Sequence, residues 1–176
     1  MKIVKKYRFF LFLVLVFLIL FFINKDFGIN ALKITGHSLK EMALVIPPIF
    51  ILLGLLDVWV PRETMVKYMG EKSGVIGILL ALILGSAAAG PLYGAFPVAA
   101  VFMKKGVKFS NVLIFIGAWS TTKIPMFLFE LTSLGSAFAL TRLFVDIPGI
   151  IIIAFILTKI TPKASVEKIY KQAEKM

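Results

Sequence analysis

Gly85-Ser86-Ala87-Ala88-Ala89-Gly90-Pro91-Leu92-Tyr93-Gly94-Ala95-Phe96-Pro97 is the stretch whose reading decides the fold. It lies between two apolar runs, and it is made of small residues and two prolines. Such a segment does not continue as one smooth helix, because proline donates no amide hydrogen. Within lipid, unpaired backbone groups survive only where protein or a water-filled cavity covers them. The stretch therefore has two readings. Gly85, Ala89, Gly90 and Gly94 form a close-packing face, or the break exposes backbone groups to a transported solute.

Working outward, residues 74–89 lead in and the short apolar piece 98–103 leads out to Lys104-Lys105-Gly106. The returning limb, residues 95–103, is ~13 Å long at helical rise, too short to cross hydrocarbon about 30 Å thick. Residues 74–103 are expected to form a re-entrant hairpin, with two tight full spans as the alternative. Further spans are expected over residues 9–23, 42–60, 111–128 and 143–157, with polar connections at 24–41 and 131–142. Residues 61–72 and the basic tail 158–176 read as surface helices. The expected fold is a single all-α domain: a polytopic membrane helical bundle with a Gly/Pro-interrupted helix pair.

Composition agrees with a membrane solvent. Of 176 residues 60% are hydrophobic, with a mean hydropathy of +0.97, whereas soluble domains are about 45–50% apolar. The net charge is +11. The basic residues gather at the ends of apolar runs, which points to anionic headgroups and not to nucleic acid. The lysines and arginines of residues 1–8, 61–72, 104–108 and 158–176 place those stretches, and so both termini, in the cytoplasm. Residues 1–23 imitate a signal peptide, but no small-x-small cleavage site follows closely. A retained span is the expectation and a cleaved signal the alternative.

Absent residue types exclude much chemistry. There is no Cys, hence no disulfide, thiolate nucleophile or Cys–zinc site, and His37 stands alone. No paired carboxylates, nucleophile–base pair or phosphate-binding Gly-Lys-Ser/Thr loop occurs. Neither an enzyme nor a cofactor is expected, and His37 reads as a solvated loop residue.

Two further features fall inside spans. Pro47-Pro48 interrupts or bends the second one. In the fourth, Trp119-Ser120-Thr121-Thr122-Lys123 places a cation ~18 Å from the cytoplasmic end. Buried charges there cost about 2.5–3.5 kcal/mol even on insertion scales, so a counter-ion or wet cavity is required. Asp146 lies at a similar depth, and a Lys123–Asp146 ion pair is expected, with Asp57 the weaker partner. Glu130 and Arg142 are expected at the outer boundary, mostly solvated. The candidate pathway is Pro47, Pro48, Gly85, Ser86, Gly90, Pro91, Tyr93, Gly94, Pro97, Trp119, Ser120, Thr121, Thr122 and Lys123.

Three blocks resemble the predicted permease family that includes the organoarsenical efflux permeases. They are Pro47 to Asp57 leading to Pro61-Arg62-Glu63, Gly85 to Ala99 leading to Lys105-Gly106, and Phe115-Ile116-Gly117-Ala118-Trp119-Ser120 leading to Lys123-Ile124-Pro125. Full-length relatives carry two such halves and this chain carries one. The resemblance therefore implies a half-size permease subunit of the cell membrane, working as a homodimer or with a partner half. A small solute or anion is the implied cargo. Thiolate chemistry with arsenicals is not carried over, because Cys is absent. A non-transporting scaffold or accessory subunit is the alternative.

Overall fold

The computed structural model describes residues 2–88 and 90–175. Within the first two helices, the side chains at 2–6, 41, 45–46, 49–50, 52–53 and 56–57 are not described. The expectations for Asp57 and for Ala89 lie outside the described residues. All regular structure among the described residues is helical, and the chain falls into two compact units, Met1–Pro48 and Ile49–Met176.

In the first unit, α1 (Lys2–Ile23) carries non-helical backbone at Tyr7, leaving the apolar helix Tyr7–Ile23. Asn24 ends it, and its Oδ1 accepts from the Phe27 amide at 3.1 Å. This is an N-cap bond that starts a new helix. α2 (Lys25–Trp59) runs for 35 residues. The polar connection expected at 24–41 is thus helical, and His37 lies on a helix and not in a loop. Good helix formers (Ala31, Leu32, Lys33, Leu39, Lys40) outweigh Gly28 and Gly36, each costing only about 1 kcal/mol. Pro47 and Pro48 stand inside α2 without ending it.

The second unit takes in the end of α2 from Ile49, and then α3 (Arg62–Met69), an amphipathic helix that buries Met65 and Met69. After a 109° bend comes α4 (Gly74–Ala87). Gly74 turns that corner at φ +53°, where L side chains are strained. α4 packs along α6 (Phe109–Thr121) through Gly77, Ala81 and Gly85, a small residue at every fourth position. A Cβ on Gly85 would sit 2.5 Å from the Phe115 carbonyl oxygen and 2.7 Å from the Ala118 Cβ. The close-packing role of Gly85 is therefore real.

α5 (Ala95–Lys104) returns against α6 and buries Val98, Ala99 and Phe102. Phe102, Phe115 and Trp119 stack edge to face, with centroids 4.8 and 5.5 Å apart. Such pairs add about 0.5–1.5 kcal/mol beyond area burial. α7 (Ile124–Ser133) continues the line of α6, and Phe109–Ser133 together are long and apolar enough to cross a membrane. Leu134 and Gly135, the latter at φ +87°, reverse the chain into α8 (Ser136–Ile160), the second such helix. α8 starts seven residues before the expected 143. Its Phe144 and Val145 are 75% and 66% exposed, as suits a lipid-facing side. α9 (Lys163–Ala173) follows as the expected surface helix.

The basic stretches of this unit converge at one end. Tyr170 of α9 donates to the Val107 carbonyl at 2.6 Å, and Lys108 pairs with Glu71 at 3.4 Å. Buried Asn111 donates to the Met69 carbonyl at 2.8 Å and to Ser73 Oγ at 3.2 Å. These bonds lock the starts of α4 and α6 together. The architecture is an all-α membrane bundle.

Candidate functional site

α4 and α6 start at the same end, run in parallel and stop at the same height. With 14 and 13 residues, each is ~20 Å long. Both stop because the sequence denies them further amide donors.

After α4, Ala88 turns extended (φ −69°, ψ 141°) and Gly90 takes φ +111°. A side chain would be strained at Gly90, so this position requires glycine. Pro91 remains extended, residues Leu92–Gly94 make one 3₁₀ turn, and α5 begins. Pro97 falls in the first turn of α5, where the amide it lacks would have no helical partner.

At the end of α6, Thr122 leaves helical geometry and Lys123 is extended (φ −57°, ψ 132°). Pro125 explains the break. An amide there would donate to the carbonyl of Thr121, four residues back, and proline has none. The freed Thr121 carbonyl accepts from Arg142 at 2.9 Å instead.

The two breaks brace each other. Lys123 Nζ donates to the Gly90 carbonyl at 2.9 Å, and Trp119 Nε1 donates to the same oxygen at 3.3 Å. Ser86 and Thr122 share a hydroxyl–hydroxyl bond of 2.7 Å. Backbone that lipid cannot satisfy is thus satisfied by side chains of the neighbouring break. The contact is tightly packed, with Trp119 5% and Thr122 4% exposed.

The ion pair expected between Lys123 and Asp146 is not formed. The break turns Lys123 onto the Gly90 carbonyl. Asp146 is taken by Arg142, one helical turn earlier on α8, at 3.3 Å. Arg142 also holds Glu130 through Nε at 2.7 Å. Glu130 and Arg142, expected in water at the boundary, are therefore inside the bundle: the Glu130 side chain is 6% exposed and that of Arg142 22%. The reason is the early start of α8, which puts Arg142 in its second turn, facing α7.

Of the remaining candidates, Gly94 is buried, Pro91 and Pro97 are half-buried, and Tyr93 and Ser120 are exposed. Thr121 Oγ1 bonds back to the Gly117 carbonyl at 3.0 Å. Pro47 and Pro48 belong to the first unit. Sequence reasoning missed Arg142 and Glu130 as site residues. The signal was the four-residue spacing of Arg142 and Asp146, which puts both on one helix face.

At the basic end, a cleft of about 410 Å³ is lined in part by Val107, Lys108, Glu167 and Tyr170. Burial, and secondarily the Glu71 carboxylate, push the Tyr170 phenol up from 10.0 to about 12.

No curated protein and no solved structure matches the chain. A family described as predicted permease matches residues 29–176. That span takes in both breaks, their bracing side chains and the whole second unit, so the chain belongs to the predicted permease family.

Proposed function

We propose that this permease moves a small solute or anion past the contact between the two breaks. The observation that carries the reading is the clamp on Gly90: a lysine and a tryptophan from one broken helix hold a bare carbonyl of the other. Among the described residues Lys123 meets a carbonyl and not a carboxylate, which leaves its charge available to an anion. Ser86 and Thr122 supply hydroxyls beside it. A solute that displaced the Gly90 carbonyl from Lys123 would meet one cation and two hydroxyls, a set suited to small oxyanions and halides.

Relative lengths support the re-entrant reading. The α4–α5 tip lies ~20 Å from the basic end, whereas residues 109–133 and 136–160 each measure ~37 Å. Positive residues at that end favour the cytoplasm, and the reading has the tip within the bilayer and, with the lysines and arginine of residues 1–8 counted likewise, both termini inside. The reading includes a second copy of this chain or a partner half that completes the pathway.

The scaffold reading is favoured by one observation, the close packing of Trp119 and Thr122. Vesicle swelling driven by a panel of small inorganic anions separates the two. With the permease, wild-type vesicles swell and Lys123→Met lowers the rate at least about tenfold, a loss of about 1.4 kcal/mol or more. Equal rates for wild type, variant and empty vesicles would leave only the scaffold.

A further inference from the structure

We propose that the clamp on Gly90 is a site for one monovalent anion and rejects divalent anions, with Lys123 setting the charge it accepts and Trp119 supplying a neutral donor. The proposal deepens the permease reading and rests on it for the transport of that ion, but its first test measures binding and uses no flux.

Lys123 Nζ and Trp119 Nε1 approach a single oxygen, the Gly90 carbonyl, at 2.9 and 3.3 Å. An ammonium and an indole N–H donate and do not accept, so together they suit one electron-rich atom. The two hydroxyls beside them have little left to give. One proton is spent inside the Ser86–Thr122 bond of 2.7 Å, and Thr122 Oγ1 also reaches the Ala118 carbonyl at 3.2 Å. Gly90, Lys123 and Ser86 are half-buried, so an ion reaches the ammonium without unpacking Trp119 or Thr122.

The positive charge at the clamp is a single unit. α4 and α6 carry no charged side chain, and α5 carries only Lys104, at its far end. Arg142, on the Thr121 carbonyl two residues before Lys123, already faces two carboxylates, Glu130 at 2.7 Å and Asp146 at 3.3 Å. It has no positive charge to spare. Among the described residues, Lys123 is therefore the cation that a ligand at Gly90 can use.

That single charge decides valence. The cost of taking an ion out of water grows with the square of its charge, so a divalent anion loses about four times the hydration of a monovalent one of the same size. Its attraction to one lysine only about doubles, because Coulomb energy is linear in each charge. Inside a membrane bundle, where unbalanced charge is costly, a monovalent anion is matched by Lys123 and a divalent one is not. Trp119 sharpens the choice. It is 5% exposed and stacks edge to face on Phe115, with centroids 5.5 Å apart. It thus forms a dry wall with a fixed N–H, and a strongly hydrated ion such as sulfate cannot bring its water shell against it.

Tryptophan emission reads the site directly. In a Trp59→Phe chain in lipid vesicles, Trp119 is the sole indole. Sodium gluconate is exchanged for sodium chloride or sodium sulfate at constant sodium. The emission should change with chloride along a saturating curve, and sulfate should act at least about tenfold more weakly. Adding Lys123→Met should abolish the chloride response. No response to chloride, an equal response to sulfate, or a chloride response that survives Lys123→Met overturns the site. If Lys123→Met fails to fold, the comparison of chloride with sulfate in the parent chain decides alone. Saturating chloride binding that needs Lys123, without chloride-driven vesicle swelling, keeps the site and removes the permease. Swelling as fast with sulfate as with chloride keeps the permease and removes the selection by valence.

Discussion

Gly90 and Lys123 show how single residues set this site. Gly90 adopts φ +111°, a conformation costing an L side chain roughly 1–2 kcal/mol. Its carbonyl then faces two donors. Gly90→Ala should destabilise the protein by about that amount and displace the carbonyl from Lys123, which thermal unfolding in detergent would measure. Gly85 is constrained differently, by the Phe115 carbonyl oxygen 2.5 Å from where a Cβ would stand. Gly85→Leu should cost about 1–3 kcal/mol as overpacking and separate α4 from α6. The special status of Gly90, Pro91 and Lys123 was legible in the sequence, because each breaks a local rule of membrane helices. The partner of Lys123 was not. Counting depth along helices paired it with Asp146, but a residue in a break does not keep the direction a helix would give it.

At the scale of elements, the prolines were legible and the helix starts were not. Pro125 announces a gap in donors at Thr121, and the structure fills that gap from Arg142. The role of Arg142 is not legible in the sequence, because apolar patterning alone starts the last span at 143, whereas α8 begins at Ser136 and carries Arg142 in its second turn. Residues 24–41 differ from expectation for the same reason: their polarity suggests a connection, but their helix formers outnumber their glycines and α2 runs through them from Lys25. α9 gives a prediction at this scale. Its Tyr170 hydroxyl donates to the Val107 carbonyl at 2.6 Å, and burial raises the phenol from 10.0 to about 12. The folded form thus holds its proton more tightly than the unfolded chain. Its contribution should be complete below pH about 10 and lost as pH rises from about 10 to about 12. Tyr170→Phe should cost about 1 kcal/mol at neutral pH and remove that alkaline step, as limited proteolysis of the C-terminal helix across pH would show.

For the whole molecule, the apolar excess and the clustering of charge fixed the membrane bundle before any coordinates. They do not say how deep the α4–α5 tip lies, because depth depends on which helices stop and which go on. The structure supplies that comparison: α4 and α6 stop together, α7 continues, and α8 runs the full length beside them. The permease account requires the tip to lie below the lipid surface, against the second break. A chain with no cysteine permits a direct check. Ala88→Cys and, as an exposed control on the α7–α8 turn, Ser133→Cys are each treated in sealed vesicles of both orientations with a bulky impermeant maleimide and with a small charged methanethiosulfonate. The account predicts that the maleimide labels only Cys at 133, while the small reagent also reaches Cys at 88. Rapid maleimide labelling at 88 from the same side as 133 would contradict it, since the tip would then be an ordinary turn in water.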